Sequence, residues 1–157
     1  MSEGLDCLKI SSDEIKKSLK KKYSEQSRWI YFDECPVGTG WRGTNYMDAF
    51  VIGAWPSDHN KRIAFEIKVS RQDFLNEMKK CNKRRPALFF SNEFYFVCPK
   101  GMIKPEEIPS DCGLIEYEDE KLITKINAPF RESIRPNWNF VGALLRNLKK
   151  QITKEGA

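Results

Sequence analysis

Apolar residues recur along this chain with two different periods, and the change from one to the other marks its elements. Ser11-Ser12-Asp13-Glu14 opens a Lys-rich stretch in which Ile15, Leu19 and Tyr23 stand at intervals of four. A hydroxyl residue followed by an acid three positions on is a capping box, so this spacing predicts an amphipathic helix that ends near Ser24 and lays one stripe on a sheet. Residues 29–34 are aromatic and β-branched, which predicts a first strand followed by a loop containing Pro36, Gly38, Gly40 and Gly43. Residues 48–55 predict a second strand, 56–62 a polar turn and 63–69 a third strand. Ser70 then fits an N-cap, with Asp73 at the third helical position of a helix running through Phe74, Leu75 and Met78.

Residues 94–98 predict a further strand stopped by Pro99, and 105–109 at most a turn of helix. Residues 114–117 and 122–126 predict a hairpin, and a helix from Trp138 to about Ile152 closes the series. The expected order is helix, three strands, helix, strand, hairpin, helix. The second and third strands are apolar on alternate positions of both sets, so the fold class is α/β, with a sheet covered by helices on both faces.

Composition narrows the functional classes. The 157 residues suit one domain over 1–157, and 40% apolar with 31% charged residues is the balance of a folded chain. No apolar run approaches the roughly 18 residues that a membrane span needs, and residues 1–4 lack a secretory signal, so a soluble, cytoplasmic protein without a membrane partner is expected. The five cysteines are irregularly spaced, which speaks against zinc and a disulfide framework and for ordinary thiols, with Cys81 and Cys98 as core candidates. The single histidine, His59, falls in the polar turn, so Ser-His and Cys-His nucleophiles are improbable. The net charge of +5 is concentrated in three basic clusters, Lys16 to Lys22, Lys79 to Arg85, and Arg146 to Lys150. Any one of them reads equally well as a solvated helix face, but together they favour a polyanion partner.

The informative feature is a pair of charges inside an apolar strand, Glu66 and Lys68. Strand geometry sets them on one face about 7 Å apart, where either would be costly if buried alone. A hairpin turning near Asp58 would pair Asp48 with Lys68 and Phe50 with Glu66, which brings Asp48, Glu66 and Lys68 to one face. Two carboxylates beside an ammonium suit Mg²⁺ (or Mn²⁺), with Asp48 and Glu66 as ligands, the Ile67 carbonyl as a third, and Lys68 free to orient water or to stabilise charge on a phosphate. The competing reading is a buried ion pair that serves packing alone.

At these positions the sequence resembles the PD-(D/E)XK nuclease superfamily, in the order Asp48, hairpin span, Glu66-Ile67-Lys68. Residues 66–74, with 94–97, Ile108-Pro109 and 112–115, are similar to MmcB-like DNA-repair endonucleases and their phage relatives. The resemblance covers roughly residues 30–130. It implies an αβββαβ core extended by a C-terminal hairpin and helix. It also implies a metal-dependent endonuclease acting on DNA, in repair or phage DNA metabolism, with Asp48, Glu66 and Lys68 as its catalytic group. An arginine precedes the catalytic Asp in that family, whereas here Tyr46 and Met47 stand before Asp48 and the nearest arginine is Arg42.

Further candidates lie around this group. Glu34 is an auxiliary carboxylate or a rim charge, and Ser70 and Asp73 are auxiliary groups or simply a helix cap. Arg42, Arg71, Lys79, Lys80, Lys83, Arg84 and Arg85 are candidate nucleic-acid contacts through phosphate charge. Trp41 is a candidate base-stacking residue, while Tyr95 and Phe96 read as core. Two other classes remain open: a nucleic-acid-binding module of the same fold without turnover, and a structural protein that uses the Glu-Lys pair for packing.

Overall fold

The computed structural model describes residues 9–36, 46–133 and 135–156, with the Cys81 side chain outside that description. Its elements in chain order are α1 (Ser12–Ser24), β1 (Trp29–Pro36), β2 (Tyr46–Gly53), β3 (Arg62–Ile67), α2 (Arg71–Met78), α3 (Arg85–Phe90), β4 (Glu93–Pro99), β5 (Gly113–Glu118), β6 (Lys121–Ile126) and α4 (Trp138–Glu155). The six strands form one mixed sheet in sequence order. β1, β2 and β3 pair antiparallel, β3–β4 and β4–β5 parallel, and β5–β6 antiparallel. The parallel pairs sit where the chain must cross over. The first crossover carries α2 and α3, because a parallel return needs a connection longer than a hairpin turn.

Local chemistry accounts for the boundaries. The Ser11 hydroxyl accepts the Glu14 N–H at 3.3 Å and Glu14 Oε2 accepts the Ser11 N–H at 2.8 Å, closing the capping box that starts α1. At the β2–β3 turn Pro56 begins a 3₁₀ turn, and His59 and Asn60 follow with φ of 53° and 46°. Two successive left-handed residues reverse the chain so that the Gly53 N–H meets the Lys61 carbonyl at 2.8 Å. This turn sets Phe50 opposite Ala64 and Ala49 opposite Phe65, two residues away from the expected pairing of Phe50 with Glu66. A slip of two keeps every side chain on its expected face, whereas a slip of one would have reversed them.

Both sheet faces are covered. Ile15, Leu19 and Tyr23 of α1 pack on Tyr31, Val51, Ile63, Phe65 and Val97. On the other face Phe74, Phe90 and Phe140 of α2, α3 and α4 pack on Phe32, Phe50, Phe94 and Phe96. The rings of Phe90 and Phe140 stack at 4.2 Å between centroids, which joins α3 to α4. Side chains of this size stabilise by about 1.5–3 kcal/mol each when fully buried. Tyr95 and Phe96 are core residues, as are Cys35, Cys98 and Cys112, and exposed His59 lies in the turn.

One element differs from expectation. No helix was expected between Met78 and the strand at 94, whereas the chain makes a 3₁₀ turn at Cys81–Lys83 and then the short helix α3. Pro86 near the start of α3 presets a helical φ there, and the five apolar residues that follow Arg85 carry no helical period to read. Among the described residues no helix is long and apolar enough to cross a membrane.

Candidate functional site

β3 ends at Ile67, but the Lys68 N–H still donates to the Val97 carbonyl at 2.9 Å, so Glu66 and Lys68 stay on one face of the sheet. That face is closed by α2, and Glu66 and Lys68 are each 9% exposed. The Lys68 ammonium stands 2.9 Å from Glu66 Oε1 and is in direct contact with Glu77 of α2, which is 4% exposed. Lys83 approaches Glu66 at 3.9 Å. The β2–β3 register, continued by one residue, brings Asp48 opposite Glu66, and Asp48 Oδ2 accepts the Ile67 N–H at 2.8 Å. A carboxylate thus takes a backbone donor at the point where the two strands part.

The electrostatics follow from this crowding. Burial pushes the Glu66 carboxyl up to about 7, with the Asp48 charge adding to the shift and Lys68 opposing it. Asp48 is raised by burial, against the pull of the Ile67 N–H and of Lys16 and Lys68. Burial alone would lower Lys68, but the carboxylates of Glu66 and Glu77 outweigh it and hold the ammonium above its ordinary value. The group is therefore three acids crowded around one lysine, with Lys83 at its edge, and the crowding favours a proton on Glu66.

A cleft of about 460 Å³ opens beside this group. Asp48, Ile67, Lys68 and Glu77 form its floor, and Lys16, Lys80, Lys83, Asp73 and Asn76 stand around it. Lys16 reaches in from α1 and is paired at 2.7 Å with Glu34.

The structure brings together Asp48, Glu66, Lys68, Ile67, Asp73, Lys80 and Lys83. Ser70 caps α2, accepting the Asp73 N–H at 3.4 Å. Glu34 has a left-handed φ of 47° and an exposed carboxylate held by Lys16, and it faces a neighbouring hollow rather than the cleft. Lys79 and Arg85 are exposed away from the cleft lining. Arg71 is committed elsewhere, to the Glu107 carboxylate at 2.6 and 3.0 Å and to the Met102 carbonyl at 3.0 Å.

Arg84 departs from its expected place on the surface. It is buried, with its guanidinium 5.7 Å from the centre of the Phe96 ring, because the short helix α3 turns it inward. Arg42 and Trp41 lie outside the described residues.

Sequence reasoning did not single out Glu77 or give Lys16 a place in the cleft. A signal for Glu77 was present: it stands three residues after buried Phe74, on the same stripe of α2, where an acid has no reason to be unless something inside receives it. Lys16 carried no such mark among its neighbouring lysines. Among the described residues, no group of three or more His, Cys, Asp or Glu side chains is arranged to hold a metal ion, since Lys68 stands between Glu66 and Glu77.

No protein-family model matches the chain, and no curated protein is similar to it. A solved structure resembles it, the SPO1766 protein of unknown function from Silicibacter pomeroyi, with a TM-score of 0.58 and 14% identity over 85% of this chain and 81% of that one. At that identity the likeness concerns the fold alone, a mixed α/β arrangement.

Proposed function

We propose that the protein is a metal-dependent phosphodiester hydrolase of the PD-(D/E)XK type that acts on DNA. The observation that carries this reading is the convergence at the end of β3 of Asp48 and Lys68, which line a cleft bordered by Lys16, Lys80 and Lys83, with Glu66 paired to Lys68 just behind that lining. The crowding of acids fits a divalent cation: the charges of Asp48 and Glu77 raise the proton affinity of Glu66, and bound Mg²⁺ or Mn²⁺ would relieve that repulsion. Asp48, Glu66 and the Ile67 carbonyl would hold it. The chemistry such an ion supplies is acidification of water and neutralisation of phosphate charge.

The chain's own groups do the rest. Lys68, positioned by Glu66 and Glu77, offers a cation to the charge that develops on the phosphate. Lys16, Lys80 and Lys83 draw the backbone of a nucleic acid into the cleft without reading its bases. The element order α1-β1-β2-β3-α2-α3-β4, with the extra helix α3 inside the crossover, supports the family resemblance as a reading of the core.

A second reading, a DNA-binding module without turnover, draws on the direct contact of Lys68 with both Glu66 and Glu77, which leaves the lysine engaged by protein carboxylates. One experiment separates the two. Labelled single-stranded, nicked, branched and flapped DNAs are incubated with the protein in Mg²⁺ or Mn²⁺ and in chelator, beside Lys68→Ala. Cutting that chelator and the variant both abolish supports the hydrolase, and salt-sensitive binding without cutting supports the module.

A further inference from the structure

On α4, Trp138, Val141, Leu145, Leu148 and Ile152 alternate by three and four residues, a heptad row whose Leu148 packs against the domain core while Trp138, Leu145 and Ile152 face outward. Trp138 is 87% exposed, Leu145 61% and Ile152 62%, with Val141 and Leu148 half-buried. The helix already has a separate stripe for the domain core, in which Phe140, Ala143 and Leu144 are buried. At about 100° per residue, the outer row fills an arc of roughly 80° next to that stripe and runs about 21 Å along the axis. An exposed tryptophan aligned with two exposed aliphatic residues is an arrangement that folding of this chain does not require.

The charges beside the row indicate what would cover it. Arg146 and Lys149 are exposed beside the row, Lys150 and Lys154 are exposed between them and the domain edge at Glu34, and the stems of all four with Thr153 line a shallow hollow of about 420 Å³. Glu155 is the acid of this helix, and it is taken by Lys20 of α1 at 3.0 Å. A second copy of α4 would therefore bring cations to cations. A narrow heptad row with one basic flank is complementary to another helix carrying apolar residues at the same spacing and acids beside them.

We propose that the outer face of α4 is a docking surface for an acidic amphipathic α-helix of a partner protein. The seam is formed by Trp138, Leu145 and Ile152, and orientation is selected by Arg146, Lys149 and Lys150. The surface is independent of the cleft at β3 and stands whatever chemistry that cleft performs.

The test is calorimetric titration of the full chain with two synthetic helical peptides. Both carry Leu at heptad seam positions, one with Glu and the other with Lys at the flanking positions. The acidic peptide is expected to bind and the basic one not. Leu145→Glu is expected to weaken binding by about tenfold or more, with the unfolding temperature unchanged. Lys149→Glu with Lys150→Glu is expected to reverse the preference between the peptides, which a merely sticky surface would not do.

Equal binding of both peptides, or of neither, overturns the proposal. So does binding to vesicles containing anionic lipid, or to duplex DNA, that Leu145→Glu abolishes while the acidic peptide fails to bind. Self-association in sedimentation experiments that Leu145→Glu abolishes would assign the face to a second copy and overturn it as well.

Discussion

Two regions break the usual arrangement of a folded chain in opposite directions. At the end of β3, charged side chains are inside; along the outer side of α4, large apolar side chains are outside. The first is costly to the fold, since Glu66, Lys68 and Glu77 lose water and are compensated mainly by each other, while half-buried Asp48 takes the Ile67 N–H. The second costs the fold almost nothing, because Trp138 and Leu145 are exposed in the folded chain as in the unfolded one. Tolerance to mutation should therefore differ sharply between them.

The largest effect is expected at Lys68. Lys68→Ala leaves buried carboxylates without their cation and should lower stability by about 3–5 kcal/mol in denaturant titration, beside loss of metal-dependent cutting. An unchanged midpoint would mean that water already reaches these acids.

Next comes pH. The Glu66 carboxyl titrates near 7 in the folded protein against an ordinary value of 4.5, so between those values the folded state keeps a proton that the unfolded state has released. In chelator, stability should accordingly fall as pH rises from about 4.5 to 7, by about 3 kcal/mol from this group. Asp48, shifted in the same direction, adds to the slope at its acid end. Glu66→Gln should flatten the profile, and a profile equally steep in the variant would remove Glu66 as its cause.

An ordinary surface feature provides the ruler. Ser11→Ala removes the acceptor for the Glu14 N–H at the start of α1 and should cost about 1 kcal/mol in thermal unfolding. Smallest of all, Trp138→Ala should change stability by less than about 0.5 kcal/mol. A larger loss would show that the indole supports the domain rather than a partner.

Much of this was legible from residues alone, for identifiable reasons. The bounds of α1 follow from the Ser11 box and the intervals of Ile15, Leu19 and Tyr23, because cap and period are both local. The shared face of Glu66 and Lys68 follows from strand alternation, which no turn can alter. The pairing of β2 with β3 was not legible to the residue. It depends on how many positions the turn at Pro56 consumes, and the left-handed pair His59 and Asn60 is a backbone choice that hydrophobic pattern does not encode. Glu77 and Lys16 enter the site from helices whose docking is long-range, and Arg84 turns inward because a short helix begins just after it. Hydrophobic period identified α4 as a helix but could not say which of its two apolar rows the sheet would take.

The Arg71–Glu107 ion pair fastens the first turn of α2 to the crossover before β5, and it lies in open water. Dissolved salt weakens such a surface pair, while the charges around Lys68 are far less accessible to mobile ions. Rising ionic strength should thus slacken the fastening at one end of α2 before it disturbs the acids that α2 helps to enclose. The start of α2 would respond to the surrounding electrolyte, and the buried carboxylates of Glu66 and Glu77 would not.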